Sequence, residues 1–165
     1  MRSQHFGFDP MHESEWKTRK DRIDRRLRSC VPAWQIVAWQ EGLDTSKLVR
    51  DAVTEFPTAN GPADYALFVN GQLLGIIEAK KVAVNPQNVL EQAKRYAEGA
   101  FQGPGNWGGY RVPFLYATNG EIIWFHDVRR QLNLSRTISK FFTPAALAEL
   151  LNRDHDAALA ALQNA

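Results

Sequence analysis

The sequence predicts one mixed α/β domain, with a central sheet of about five strands flanked by helices. Two Asn-Gly pairs, Asn70-Gly71 and Asn119-Gly120, each sit between apolar runs, which is the strongest short hairpin signal a sequence offers. Apolar residues at helical spacing near both ends and in the middle supply the flanking helices. The length of 165 residues with 44% hydrophobic residues suits one good core and is too short for two ordinary domains.

The elements follow in order. Residues 14–29 place Trp16, Ile23 and Leu27 at near-helical spacing on a core-facing stripe, with Pro32 closing the segment. Residues 34–39 and 48–56 mix apolar and β-branched types and predict short strands, broken by Gly42 and Pro57. After the turn Asn60-Gly61-Pro62, the runs 65–69 and 73–79 flank Asn70-Gly71 and should pair antiparallel. Pro86 stands where a first-turn proline is tolerated, and Val89, Leu90, Ala93, Tyr96 and Ala97 repeat at helical spacing up to Gly99. Runs 112–118 and 121–126 form the second hairpin. Thr143 and Pro144 read as N-cap and first residue of a final helix rich in Ala and Leu.

Composition narrows the chemistry. No stretch approaches the roughly 18 apolar residues of a membrane span, and no apolar signal segment opens the chain, so a soluble, cytoplasmic protein is expected. Cys30 has no second cysteine to pair with, and no Cys/His cluster has zinc spacing. Any metal should therefore be held by oxygen. The net charge is only +2, yet Lys17, Arg19, Lys20, Arg22, Arg25, Arg26 and Arg28 crowd one helix against Asp21 and Asp24. Such a face either contacts a phosphate backbone or is simply solvated.

The candidate chemistry lies on the first hairpin. Glu78 and Lys80 share one strand face because side chains alternate. Asp64 begins the partner strand, six residues before Asn70, while Glu78 lies seven after Gly71, so the two carboxylates can approach. Paired acids repel, and a hard divalent cation such as Mg²⁺ relieves the repulsion. Phosphodiester hydrolysis needs a cation to polarise phosphate and acidify water, and an ammonium to hold water or offset developing charge. An acid-x-Lys triplet is nevertheless expected about once by chance in such a chain, and Glu15-Trp16-Lys17 is a second instance. Context distinguishes Glu78-Ala79-Lys80, which closes an apolar strand.

Gly61-Pro62-Ala63-Asp64-Tyr65, Ile77-Glu78-Ala79-Lys80-Lys81 and Glu91-Gln92-Ala93-Lys94-Arg95-Tyr96-Ala97 together resemble the N-terminal PD-(D/E)xK nuclease domain of type I restriction endonuclease R subunits. Thr18-Arg19, Arg22-Ile23-Asp24 and Leu27 are similar to that family's entry helix, and residues 114–120 to its later hairpin. Phe141-Phe142-Thr143-Pro144 with Leu147 resembles the passage that leads into an ATP-driven translocase.

The resemblance implies a restriction-endonuclease-like core and a single nuclease domain over residues 1–165, with 141–165 leading towards a translocase. It implies Mg²⁺-dependent cutting of double-stranded DNA, with methyltransferase and specificity subunits as partners and ATP used only by the motor. On that resemblance Asp64 and Glu78 are metal-binding carboxylates, the Ala79 carbonyl a further ligand, and Lys80 the catalytic lysine. Gln92 and Tyr96 form a Gln-x-x-x-Tyr element, and residues four apart share a helix face. Glu15, with Glu13 as the alternative, is the candidate for an added acid from the first helix. The alternative function is a DNA-binding or assembly module that does not cut without its motor and partners. Two features depart from the family pattern. Residues 101–110 form a long glycine-rich connection, read as a surface loop with base stacking by Trp107 as the alternative. No glycine-rich phosphate loop ending in Lys-Ser/Thr is present.

Overall fold

The computed structural model describes residues 10–80, 90–130 and 132–163. Its elements are helix α1 (Pro10–Arg28), strand β1 (Gln35–Ala38), a short 3-10 turn (Thr45–Lys47), β2 (Arg50–Thr58), β3 (Gly61–Val69), β4 (Gln72–Ala79), α2 (Glu91–Glu98), β5 (Phe114–Thr118), β6 (Ile123–Asp127), β7 (Arg136–Ile138) and α3 (Pro144–Gln163). The strands form one sheet in the order of the chain. β1 and β2 run parallel, β2, β3 and β4 alternate, β4 and β5 run parallel, and β5, β6 and β7 alternate again. Both parallel steps need a crossover: the 3-10 turn lies in the short one from β1 to β2, and α2 in the longer one from β4 to β5.

The class is therefore the mixed α/β fold expected, but the sheet has seven strands rather than about five. The unpredicted β7 has three residues, two of them exposed, too few for an alternating pattern to register. Pro57, expected to end its strand, instead lies inside β2 opposite Pro62. β1 covers β2 only as far as Thr54, so beyond that point one edge of β2 is open and a residue without an N–H loses no ladder bond.

Apolar alternation splits the core into two layers. Ile23 and Leu27 of α1 and Phe141 and Leu147 at α3 pack with Tyr65, Leu67, Ile77 and Tyr116 on one face of the sheet. On the other face, Leu90, Ala93, Tyr96 and Ala97 of α2 cover Ala66, Phe68, Ile76 and Leu115. Trp16 departs from the expected stripe: it is 40% exposed, with the Lys20 ammonium 5.1 Å from its ring centre. The caps follow the sequence more closely. Thr143 Oγ1 accepts from the Ala146 N–H at 3.1 Å, as an N-cap does. Asn70 and Gly71 both take positive φ, 50° and 79°, the conformation of a type I′ hairpin turn. Pro86 and Val89, read as the opening of the second helix, lie outside the described residues.

Candidate active site

β3 and β4 do not pair in simple register. Next to the turn Val69 faces Gln72 and Phe68 faces Leu73, but Leu67 then faces Gly75, and Leu74 is skipped. This one-residue β-bulge decides what Asp64 meets. Tyr65 pairs with Ile77, so one step outward Asp64 lies opposite Glu78. Without the extra residue it would lie opposite Ile77, because a slip of one position turns a strand's side chains to the other face. Asp64 and Glu78 thus share the α2 face of the sheet.

Asp64 Oδ2 accepts the Ala79 N–H at 2.7 Å, fixing the carboxylate against β4. In an extended strand a residue's N–H and C=O point to the same side, so the Ala79 carbonyl is also directed towards Asp64. Glu78 is 9% exposed, and its Oε2 is buried with no hydrogen-bond partner. Desolvation first, then the charge of Asp64 and a hydrogen bond with it, push the Glu78 carboxyl up to about 9, against a smaller opposing pull from Lys80. At neutral pH Glu78 therefore keeps its proton. The Lys80 backbone N–H donates to the Thr118 carbonyl at 2.8 Å, which extends the β4–β5 ladder past β4 and sets the lysine half-buried beside Glu78.

α2 brings the next two residues. Its end is held to the β2–β3 turn, where the Ala59 N–H donates to the Gly99 carbonyl at 2.8 Å and Asn60 Nδ2 to the Arg95 carbonyl at 2.7 Å. Gly99 is needed there, since a Cβ would lie 2.9 Å from the Asn60 backbone nitrogen. Held in this way, Tyr96 is 7% exposed, and its ring lies 3.8 Å from where a Gly61 Cβ would be. Gln92 Nε2 donates to the Tyr96 hydroxyl at 2.7 Å. Burial raises the Tyr96 phenol above its ordinary value, with smaller contributions in the same direction from Glu78 and Asp64. The structure thus brings Asp64, Glu78, Ala79, Lys80, Gln92 and Tyr96 together. Glu13 and Glu15 fall in the first turns of α1, and their side chains lie outside the described residues.

Sequence reasoning missed Glu55. It occupies the β2 position in line with Asp64, between the pairs Thr54–Tyr65 and Phe56–Ala63, and takes φ +55°. Left-handed backbone costs a non-glycine residue about 1 kcal/mol. Its charge is among those that raise Glu78, and its carboxylate lies 3.6 Å from the Lys20 ammonium of α1. No local pattern announces such a kink, and Glu55 reads as the outward residue of an ordinary strand.

The basic stretch of α1 is partly committed within the fold. Arg22 pairs with Glu121 at 3.0 Å, and Arg26 donates to the Glu121 carbonyl at 2.9 Å. These contacts press α1 on the β5–β6 turn, where a Cβ on Gly120 would fall 2.7 Å from the Arg22 Cβ. The glycine-rich connection lies elsewhere. Trp107 and Tyr110 bridge across Gly108 and Gly109 and line a cleft of about 390 Å³ with Lys94 and His126. That cleft is at the Phe114 end of β5, whereas the carboxylates are at the Thr118 end.

Among the described residues no group of three or more His, Cys, Asp or Glu side chains is arranged to hold a metal. The available donors are two carboxylates, one of them with an orphaned oxygen, and a backbone carbonyl. That set fits a hard cation that keeps part of its water shell, as Mg²⁺ does, and suits neither zinc nor a fully protein-caged ion.

Residues 34–151 match the family described as the second domain of the type I restriction enzyme EcoKI endonuclease subunit. The chain belongs to this family. The matched segment holds the whole carboxylate cluster and α2, while α1 precedes it. The type I restriction enzyme EcoKI endonuclease subunit of Escherichia coli (strain K12) is 24% identical over 180 residues, covering 80% of this chain and 15% of its own length. No solved structure matches the chain. No helix among the described residues of this type I restriction subunit domain is long and apolar enough to cross a membrane.

Proposed function

We propose that this domain hydrolyses phosphodiester bonds of double-stranded DNA with the help of Mg²⁺, as the cutting part of a type I restriction subunit. The observation that carries this reading is Glu78: a buried carboxyl opposite Asp64, with one oxygen unpartnered and its proton held to about 9. Such a pair is unfavourable as two anions, and a divalent cation relieves it.

Asp64, Glu78 and the Ala79 carbonyl would hold the ion, which when bound polarises the scissile phosphate and acidifies water. The chain's own groups do the rest. The Ala79 N–H keeps Asp64 in place, so little reorganisation accompanies the reaction. Lys80 orients the attacking water and offsets charge that develops on the phosphate. Gln92 holds the Tyr96 hydroxyl towards the same end of the sheet, where both line the path of the DNA backbone.

A plasmid-nicking assay tests the reading. Cutting should require Mg²⁺ and vanish in Asp64→Asn, Glu78→Gln and Lys80→Ala; undiminished cutting by all three variants would sink it. A second reading is favoured by the chain spanning only 15% of its relative. In it the domain binds DNA and assembles with methyltransferase and specificity subunits, and cuts only when an ATP-driven motor is joined to it. Salt-sensitive DNA binding without nicking at any Mg²⁺ concentration would favour that alternative.

A further inference from the structure

Lys20 differs from its basic neighbours on α1. Arg22 and Arg26 are spent on Glu121, whereas Lys20 runs inward, its side chain only 13% exposed. Its ammonium lies 4.6 Å from the Tyr65 ring centre and 5.1 Å from that of Trp16. Aromatic faces attract the charge but accept no conventional hydrogen bond, so they place the ammonium without satisfying its N–H donors. Among the described residues its remaining charged neighbour is Glu55 at 3.6 Å, a contact too long for a strong hydrogen bond, with a carboxylate that is 53% exposed. Glu55 holds that position through a left-handed backbone, in line with Asp64 on the adjacent strand. A pre-placed cation, making no hydrogen bond among the described residues, therefore stands on the α1 side of the sheet beside Glu55, loosely paired to an exchangeable anion whose charge also reaches Glu78.

We infer that Lys20 contacts a DNA phosphate next to the scissile bond, and that Glu55 holds it in the DNA-free state until that phosphate takes the carboxylate's place. The inference rests on the nuclease reading for the identity of the ligand, but not on cutting. Glu55 is a positioning residue, and it also keeps the Lys20 charge compensated when no DNA is bound.

The test measures duplex DNA binding by the full chain without divalent cation, over a series of salt concentrations. Lys20→Met keeps the apolar stem on the two rings and removes only the charge. It should weaken binding several-fold and lower the slope of log affinity against log salt by about 0.9, the signature of one lost phosphate contact. Glu55→Gln should tighten binding several-fold at unchanged slope, and the double variant should behave as Lys20→Met alone. An unchanged slope in Lys20→Met overturns the inference, as does a Glu55→Gln gain that persists in full without Lys20, or a wild-type chain that shows no salt-dependent duplex binding. Because no cutting is read, loss of the slope change with nicking intact removes only the role of Lys20. A normal slope change without nicking instead removes the catalytic reading.

Discussion

Asp64 faces Glu78 across the β3–β4 hairpin because Leu74 is passed over in the pairing. The two site residues owe their meeting to a third that is buried on the opposite face of the sheet. One consequence concerns how Asp64 should be replaced. Asp64→Asn keeps an oxygen to accept the Ala79 N–H, whereas Asp64→Ala leaves that buried donor without a partner. Both should abolish nicking. Urea unfolding should find Asp64→Ala less stable than Asp64→Asn by about 1 kcal/mol.

Glu78 should cost the fold stability for the sake of the site. Its proton leaves at about 4.5 in an unfolded chain and at about 9 in the fold, so across that window the folded state binds a proton that the unfolded state has released. Metal-free stability is therefore full at and below the lower value and falls as pH rises through the window. Glu78→Gln should flatten that fall and raise the midpoint at pH 8 by several degrees, since each kcal/mol is worth about 2–4 °C in a domain of this size. Thermal melts in EDTA at pH 5, 7 and 9 read both effects; a wild-type midpoint that does not decline from pH 5 to pH 9 contradicts the expectation.

The same proton should be expelled by the cation. On the proposed reading Mg²⁺ binds Glu78 in its ionised form, so between about pH 5 and 9 binding should release up to one proton and tighten as pH rises. Calorimetry in buffers of different ionisation enthalpy counts that proton directly. In Glu78→Gln the count should drop towards zero.

Tyr96 carries two separable contributions. Tyr96→Phe removes the partner of Gln92 but keeps the ring in the core, so it should cost under about 1.5 kcal/mol of stability. It should slow nicking by about tenfold or more if the hydroxyl meets the DNA. Tyr96→Ala empties a position that is 7% exposed and should cost about 3 kcal/mol or more. Equal losses of nicking and stability in the two variants would argue against a separate role for the hydroxyl.

Hairpins and caps were legible in the sequence because their causes are local. Asn70-Gly71 carries its own positive φ, and Thr143 carries its own acceptor. The cluster was half legible: residue types and the 92–96 spacing pointed to it, but counting from the turn gave six against seven and left the facing open. What closed that gap was the bulge at Leu74, a feature of the β3–β4 pairing that no residue type beside it announces. Glu55 was illegible for the same kind of reason, since its left-handed backbone is a non-glycine exception inside an otherwise regular strand. Pro57 was misread because whether a proline breaks a strand depends on which edge is open. β7 was too short to leave a pattern.

The segment matched to the family begins at residue 34, but the packing begins earlier. Ile23 and Leu27 are wholly buried, Tyr65 donates its hydroxyl proton to Asp24, and each buried aliphatic chain is worth about 1.5–3 kcal/mol. A clone trimmed to the recognisable segment would bare the face of the sheet behind the carboxylates and would be expected to precipitate when expressed. For this chain, the border of the matched segment and the border of the core packing are different places.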